Sequence, residues 1–556
     1  MKIGSHFAAA LYAAALSPPV HAQTPPDAGR LIQDQQRDRP AQPARTLPLP
    51  ALDAPPRAAL QTPTGVRVRV ADWRFTRNGA IPEAELASLL ADLVGKELDL
   101  AGLTAAADRI TRHYRARGFL VARAYLPAQE ITNGTVEITI LEGRLGNISI
   151  DNRSMVAASA IEPYFADLRK GGAIAGAELE RGLLLVDSLP GVDVQSTLRP
   201  GASVGTTDLD VRIAGERRLD GGLSIDDYGN RYTGAWRLGG QFAFNSPLAR
   251  GDALSLRAYA SDERYRYGRL AYQSPVGGNG LQLGAAASTM SYRAGEDFAD
   301  LGAHGKADIA SVYALYPVVR SRIANVNVQA DFDHKSLDDF VDSALVRSTK
   351  RLDVFMLGLS GDLGDELGGG GLNVWSVTYT GGHLAMDSAS RELDAAGHGS
   401  AGRYDKLNFS ASRLQRLAMA SDSWTLLVQF SGQLAHKNLD SSEKFAIGGP
   451  KGVRAYPQGE RPVDDGWLGS VELRCNLTEA WQVASFFDAG GGRANHSAPA
   501  TDLQNSRTLS GAGLSARYAQ TGAHSIEAAL AWRTGPAPTS DRDRNPRVWL
   551  SLVKSF

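Results

Sequence analysis

From Leu219 to the carboxy terminus, apolar and polar residues alternate with a period of two. Successive side chains of an extended strand point to opposite faces, so this period means strand after strand. Trp236, Leu238, Phe242 and Phe244 alternate with Arg237 and Gln241. Leu254, Leu256, Ala258 and Ala260 alternate with Ser255, Arg257, Tyr259 and Ser261. Val471, Leu473, Cys475 and Leu477 alternate with Glu472, Arg474 and Asn476, and Ile526, Ala528, Leu530 and Trp532 with Glu527 and Arg533. One face is apolar and the other carries charge. A soluble sandwich would turn the charged face to solvent, whereas a membrane barrel turns it to the lumen.

Loop lengths decide between the two. Sixteen strand candidates follow one another: 219–228, 233–244, 252–262, 266–275, 280–292, 307–317, 323–334, 350–362, 371–386, 403–416, 422–436, 466–477, 481–489, 508–518, 524–533 and 546–556. Every even-numbered candidate is followed by a short turn, such as VGGNG or TEA, and most odd-numbered ones by a long loop, the longest being 437–465. Short turns on one side, long loops on the other and an even strand number are the outer-membrane pattern.

The amino terminus agrees. Lys2, the apolar run 7–16 and small residues ending at Ala22 read as a secretory signal peptide over 1–22. No later run of 18 apolar residues exists. Without such a helix, only a closed barrel satisfies its backbone in lipid.

Between leader and barrel the chain is not period-two throughout. Residues 23–40 hold a short helical candidate, 27–39, polar nearly all round except Leu31 and Ile32; plug and free tail are both open for it. A proline-rich stretch over 41–65 favours an extended linker. Residues 66–143 and 144–216 then repeat one β-α-α-β-β plan. In the first copy strands are expected at 66–75, 119–127 and 134–143, with helices at 82–93 and 103–118. In the second, strands fall at 145–151, 192–200 and 206–214 and helices at 155–168 and 176–189. Each unit is a small α+β domain. The expected fold is therefore mainly β: a 16-stranded antiparallel transmembrane barrel over 217–556, preceded by two α+β units.

Composition excludes several functions. The net charge of -1 gives no basic face for nucleic acid, and the single cysteine, Cys475, permits no internal disulfide. The ten histidines are scattered without metal-ligand spacing, so neither metal nor cofactor is expected. Ser203 sits in G-A-S-V-G, which matches a nucleophile elbow in letters but joins two strands rather than a strand and a helix. No catalytic residue is expected.

The longest loop stands out. Gly448, Gly449 and Gly452 lead into Val453-Arg454-Ala455-Tyr456, with apolar and aromatic flanks that a solvated tip does not need. We expect this loop to fold inward. A buried arginine needs a carboxylate. On 481–489 the alternation turns Val483, Ser485, Phe487 and Ala489 to lipid and Phe486, Asp488 and Gly490 to the lumen, so Asp488 is the expected partner of Arg454.

These residues carry a resemblance. Gly452-Val453-Arg454-Ala455-Tyr456 resembles the V-R-G-Y loop of POTRA-bearing outer-membrane barrels, and Phe486-x-Asp488-x-Gly490 resembles their companion strand motif. The twin units resemble POTRA domains. Leu189-Pro190-Gly191-Val192, Pro200-Gly201 and Gly205-Thr206-Thr207-Asp208-Leu209 are similar to the second POTRA domain of two-partner secretion transporters, and 227–234 to the first hairpin of their barrel. Val548, Leu550, Leu552 and terminal Phe556 resemble the carboxy-terminal assembly signal. Ala455 and Lys554 depart from these patterns. The resemblance implies an outer-membrane translocator with no enzyme activity. Its periplasmic POTRA domains capture an unfolded partner, which leaves through the barrel. The implied cargo is a large secreted adhesin, haemolysin or toxin with an amino-terminal secretion domain. Other implied partners are outer-membrane lipid and the barrel assembly machinery, and no nucleic acid. An insertase of other barrels is the alternative.

Overall fold

The structure, a computed structural model, describes residues 26–36, 51–52, 67–119, 121–168, 176–203, 205–262, 264–417, 423–498, 504–520 and 522–556. The expected signal peptide and most of the proline-rich stretch lie outside these residues.

The first α+β unit has a three-stranded sheet in which Asp72–Thr76 runs parallel to Thr135–Leu141, and that strand pairs antiparallel with Arg123–Tyr125. The strand expected over 66–75 is split. Val68–Arg69 pairs with Glu97–Leu98, and the chain then changes neighbour, Ala71 N–H donating to Gly134. A change of partner breaks the ladder although the side-chain alternation continues. The helix Leu100–Ala116 starts at Asp99, whose carboxylate accepts the Gly102 N–H at 2.8 Å. Its apolar face joins Trp73, Phe75, Leu86 and Ile138 in one core.

In the second unit Val192–Pro200, Thr206–Gly215 and Arg144–Asn152 form one sheet beside the helix Gly176–Asp187. The helix expected over 155–168 is shorter: Ala158–Ile161 passes into the tighter turn Glu162–Phe165 at Pro163, which lacks the N–H a continuing helix uses. Part of the linker is more than a spacer. Ala51–Leu52 forms a parallel strand on the free edge of this sheet, opposite Thr197 and Leu198. Ser203 lies in the hairpin, its carbonyl accepting from the N–H and Oγ1 of Thr206.

This unit is fastened to the short turns of the barrel. Glu180 Oε1 accepts from Nε and the backbone N–H of Arg322 at 2.7 and 2.8 Å, and Arg181 donates to the carbonyls of Pro317 and Asn279 at 2.7 and 3.2 Å. A Cβ at Gly278 would stand 2.3 Å from the Pro163 carbonyl, so the two surfaces meet without room for a side chain.

Sixteen strands then close into an antiparallel barrel, the first, Leu219–Asp226, pairing with the last, Arg547–Ser555. On Val346–Asp365 the outward residues Phe355, Leu357, Leu359 and Leu363 are exposed while inward Leu352 and Val354 are fully buried. From Phe355 to Leu363 the strand covers about 26 Å, or about 20 Å of height once tilted, most of an apolar band about 25 Å tall. Among the described residues no helix is long and apolar enough to cross a membrane.

Several strands outrun their expected ends: 307–317 becomes Ala303–Arg320, 323–334 becomes Ala324–Val341 and 350–362 becomes Val346–Asp365. The added residues include Lys306, Asp338, Asp339 and Arg347. Beyond the lipid both faces are wet, so alternation fades while the ladder continues. The connection 342–345 is accordingly a tight turn rather than a long loop. At the other extreme, the strand expected from 233 begins at Arg237, leaving Trp236 just outside it.

Candidate functional site

Two segments occupy the lumen. The first is the helix Ala28–Gln36, which falls inside the expected 27–39 stretch. Asp27 opens it by accepting the Arg30 N–H at 2.9 Å. Ala28, Leu31 and Ile32 are buried against inward Tyr267, Met290, Tyr292 and Leu337. The helix therefore has a dry face. Its amino end is held by two elements: the Ala28 N–H donates to Asp339 at 2.8 Å, and Ser441 Oγ donates to Asp27 at 2.6 Å. A Cβ at Gly29 would stand 2.6 Å from Ser441 Oγ and 2.8 Å from the Ser442 nitrogen. Gly29→Leu should force the helix from its seat and raise single-channel open probability in planar bilayers, as should deletion of 23–40. A conductance equal to wild type in both variants would remove the helix from any plugging role.

The second segment is the long loop, which turns inward. Near its start Asp440 pairs with Lys350, and Glu443 with Lys335 and Lys406, at 2.7 to 2.8 Å. Burial alone would raise the Glu443 carboxyl, but the two ammonium groups outweigh it and hold it at about 2. Lys444 pairs with Asp464 across the loop at 2.7 Å. Such pairs fix position more than they add net stability.

The loop tip carries the motif. Arg454 donates Nε and Nη2 to the two oxygens of Asp488, both at 2.8 Å, and its own backbone N–H reaches Asp488 at 3.2 Å. This is the bidentate arrangement that suits arginine. Nη1 donates to Glu472 at 2.6 Å, and Arg474 donates Nε to the other oxygen of Glu472 at 2.8 Å. The guanidinium carbon sits 3.4 Å from the centre of the Phe486 ring. Asp488 is 0% exposed and the Arg454 side chain 12%.

The remaining motif residues shape the seat. Gly490 leaves space for Val453, whose methyl a Cβ there would meet at 3.4 Å. Tyr456 donates its hydroxyl to the Pro536 carbonyl at 2.8 Å. A Cβ at Gly452 would lie 2.3 Å from the Ile447 carbonyl oxygen, so glycine is required by contact. Ala455, a departure from the motif, has no positive φ, and its Cβ lies over Gly511, where a second Cβ would clash at 2.4 Å. Phe486 likewise fills the space above Gly513. Val548, Leu550, Leu552 and Phe556 all face outward on the last strand or just beyond it, and Lys554 lies exposed among them. Phe556 exchanges backbone hydrogen bonds with Gly221 at 3.1 and 3.2 Å, fastening the seam.

Sequence reasoning did not join Glu472, Ser470, Arg474 and Trp549 to this site. Ser470 stands opposite Asp488 and Glu472 opposite Phe486, while Trp549 donates Nε1–H to the Arg454 carbonyl at 2.7 Å. The inward parity of Glu472 and Arg474 was visible in their alternation, and a register would have connected them. Among the described residues no His, Cys, Asp and Glu group could hold a metal ion.

The family described as haemolysin secretion/activation protein ShlB/FhaC/HecB matches residues 205–518, and the ShlB-type POTRA domain matches 68–143. The heme/hemopexin transporter protein HuxB of Haemophilus influenzae (strain 86-028NP) is 29% identical over 554 residues, covering 97% of each chain. Among solved structures, CdiB from Escherichia coli superposes with a TM-score of 0.72 at 22% identity, over 95% of this chain and 98% of that one. BamA from Haemophilus ducreyi lacking POTRA domains 1–3 reaches a TM-score of 0.51 at 13% identity, over 88% of this chain and 99% of that one. These structural likenesses concern the fold.

Proposed function

The chain belongs to the haemolysin secretion/activation family ShlB/FhaC/HecB, and on that premise we propose that its POTRA domains capture an unfolded partner and pass it through the barrel. It is an outer-membrane two-partner secretion transporter with its POTRA domains in the periplasm. The partner is a large secreted protein of the adhesin, haemolysin or toxin class, entering by an amino-terminal secretion domain. Relatives are named for heme/hemopexin transport and for haemolysin transport.

One observation carries the capture step. The edge of the second POTRA sheet already accepts an extended segment, Ala51–Leu52, by main-chain pairing. Such pairing tolerates varied sequence, which a receptor for unfolded chain requires. Helix and loop must then clear the lumen, which in a barrel of this strand number is wide enough for an extended chain. Folding of the cargo outside supplies direction, because a folded chain cannot slide back. The four outward side chains of the last strand serve recognition by the assembly machinery. No comparable observation favours an insertase, whose likeness here is one of fold.

Co-expression with a large β-repeat protein of the same genome tests the proposal, with cargo followed in the medium and outer-membrane insertion followed by heat-modifiable mobility. Cargo that leaves the cell equally well without this chain would defeat it.

A further inference from the structure

The outer wall carries a groove of about 500 Å³ across the strands from Ala253–Ser261 to Ala324–Val341. Two cross-strand rows of outward residues border it. The lower row runs Leu256, Leu270, Ala287, Ala310 and His334, each directly opposite the next. The upper row runs Gly268, Thr289, Asp308 and Ser336, again each opposite the next, and Arg351 stands opposite Ser336 on the adjoining strand, just outside the groove. Both rows change character along their length, from apolar or small to ionisable.

That change follows the height of the wall. At the Leu256 end the strand is apolar outward through Leu254, Leu256, Ala258 and Ala260, so the groove begins within the apolar layer. At the other end Phe332 and Phe355 mark its outer edge, and His334, Asp353 and Arg351 lie just beyond. The groove is open at its centre because little fills it: a Cβ at Gly268 meets nothing within 4 Å, and Ala287 and Ala310 add only methyls.

At the ionisable end each carboxylate is already engaged locally. Asp308 is engaged by Thr289 at 2.8 Å and by Lys306 at 3.8 Å, Asp353 by His334 at 2.7 Å, and Asp338 by Thr349 at 2.7 Å and Arg347 at 3.2 Å. Among the described residues Arg351 has no ion-pair partner, and it is exposed. A free guanidinium at the outer boundary of the apolar layer, above an unfilled apolar channel, is complementary to one amphiphile. We infer that the groove binds a lipid of the outer leaflet, one acyl chain lying over Gly268, Ala287 and Ala310 and a phosphorylated headgroup meeting Arg351. Arginine is the residue suited to such a group, by bidentate donation to phosphate.

The test uses the full-length chain in phosphatidylcholine nanodiscs doped with diphosphorylated lipid A, with bound lipid counted by native mass spectrometry. Wild type should retain lipid A. Gly268→Leu, which fills the channel, and Arg351→Gln, which removes the charge at an exposed position, should each weaken retention about tenfold, the scale of one charge-assisted contact. Heat-modifiable mobility reports that each variant is folded, and Arg351→Gln stands alone if Gly268→Leu does not assemble. Equal retention by wild type and the folded variants overturns the site. Full displacement of lipid A by inorganic phosphate at equal phosphate concentration overturns it too, since the groove would then be a free-anion site.

Discussion

Arg454→Ala is expected to cut export at least about tenfold while the barrel still assembles. Loss of the guanidinium leaves Asp488 buried with only Ser470 Oγ, at 2.8 Å, and one backbone N–H, at 3.2 Å. Breaking a buried pair from one side costs about 3–5 kcal/mol, and those two surviving donors move the figure toward the lower end. A loss of that size shifts the balance toward an unseated loop by more than about tenfold, since about 1.4 kcal/mol is a tenfold change in population. Barrel assembly does not depend on the pair, because every wall strand keeps its ladder. Arg454→Lys should restore only part of the function, as one ammonium cannot serve Asp488 in bidentate fashion and reach Glu472 as well. Exchanging the charges, Arg454→Asp with Asp488→Arg, would set the new carboxylate beside Glu472, so little recovery is expected. Arg454→Met with Asp488→Asn is more informative: thermal stability should recover over either single variant while export stays low. Wild-type export from Arg454→Ala, measured as cargo in the medium, would sink the idea.

Deleting residues 66–143 should abolish export and leave an inserted barrel. The first POTRA unit has a core of its own. The second is tied to the barrel turns through Glu180, Arg181 and the close approach at Gly278, none of which the deletion removes. The expected gel behaviour is a heat-modifiable band of normal stability, with no cargo outside the cell. Export at even half the wild-type rate would mean that recognition resides elsewhere.

The fold was legible where one physical period governed a segment. Alternation yielded the barrel because each wall strand meets lipid on one side and lumen on the other. The same parity turned Phe486, Asp488 and Gly490 inward, and a buried arginine's need for a carboxylate led from Arg454 to Asp488. What escaped was contact set by register. Glu472 and Arg474 were visibly inward, but only strand pairing brings Glu472 opposite Phe486. Gly511 and Gly513 fall inside the expected strand 508–518, and only the register shows that their lack of side chains admits Ala455 and Phe486. The linker strand Ala51–Leu52 was hidden for another reason: proline density speaks for extended backbone but not for the edge that receives it.

The hydrogen bond from Trp549 to the Arg454 carbonyl also bears on the order of biogenesis. Trp549 belongs to the last strand, which leaves the ribosome after every other wall segment and closes the barrel against the first. The loop therefore lacks one of its holding contacts until the last strand is in place. A wall without that strand would hold the loop by fewer contacts, so the seat is completed in the same step as the wall.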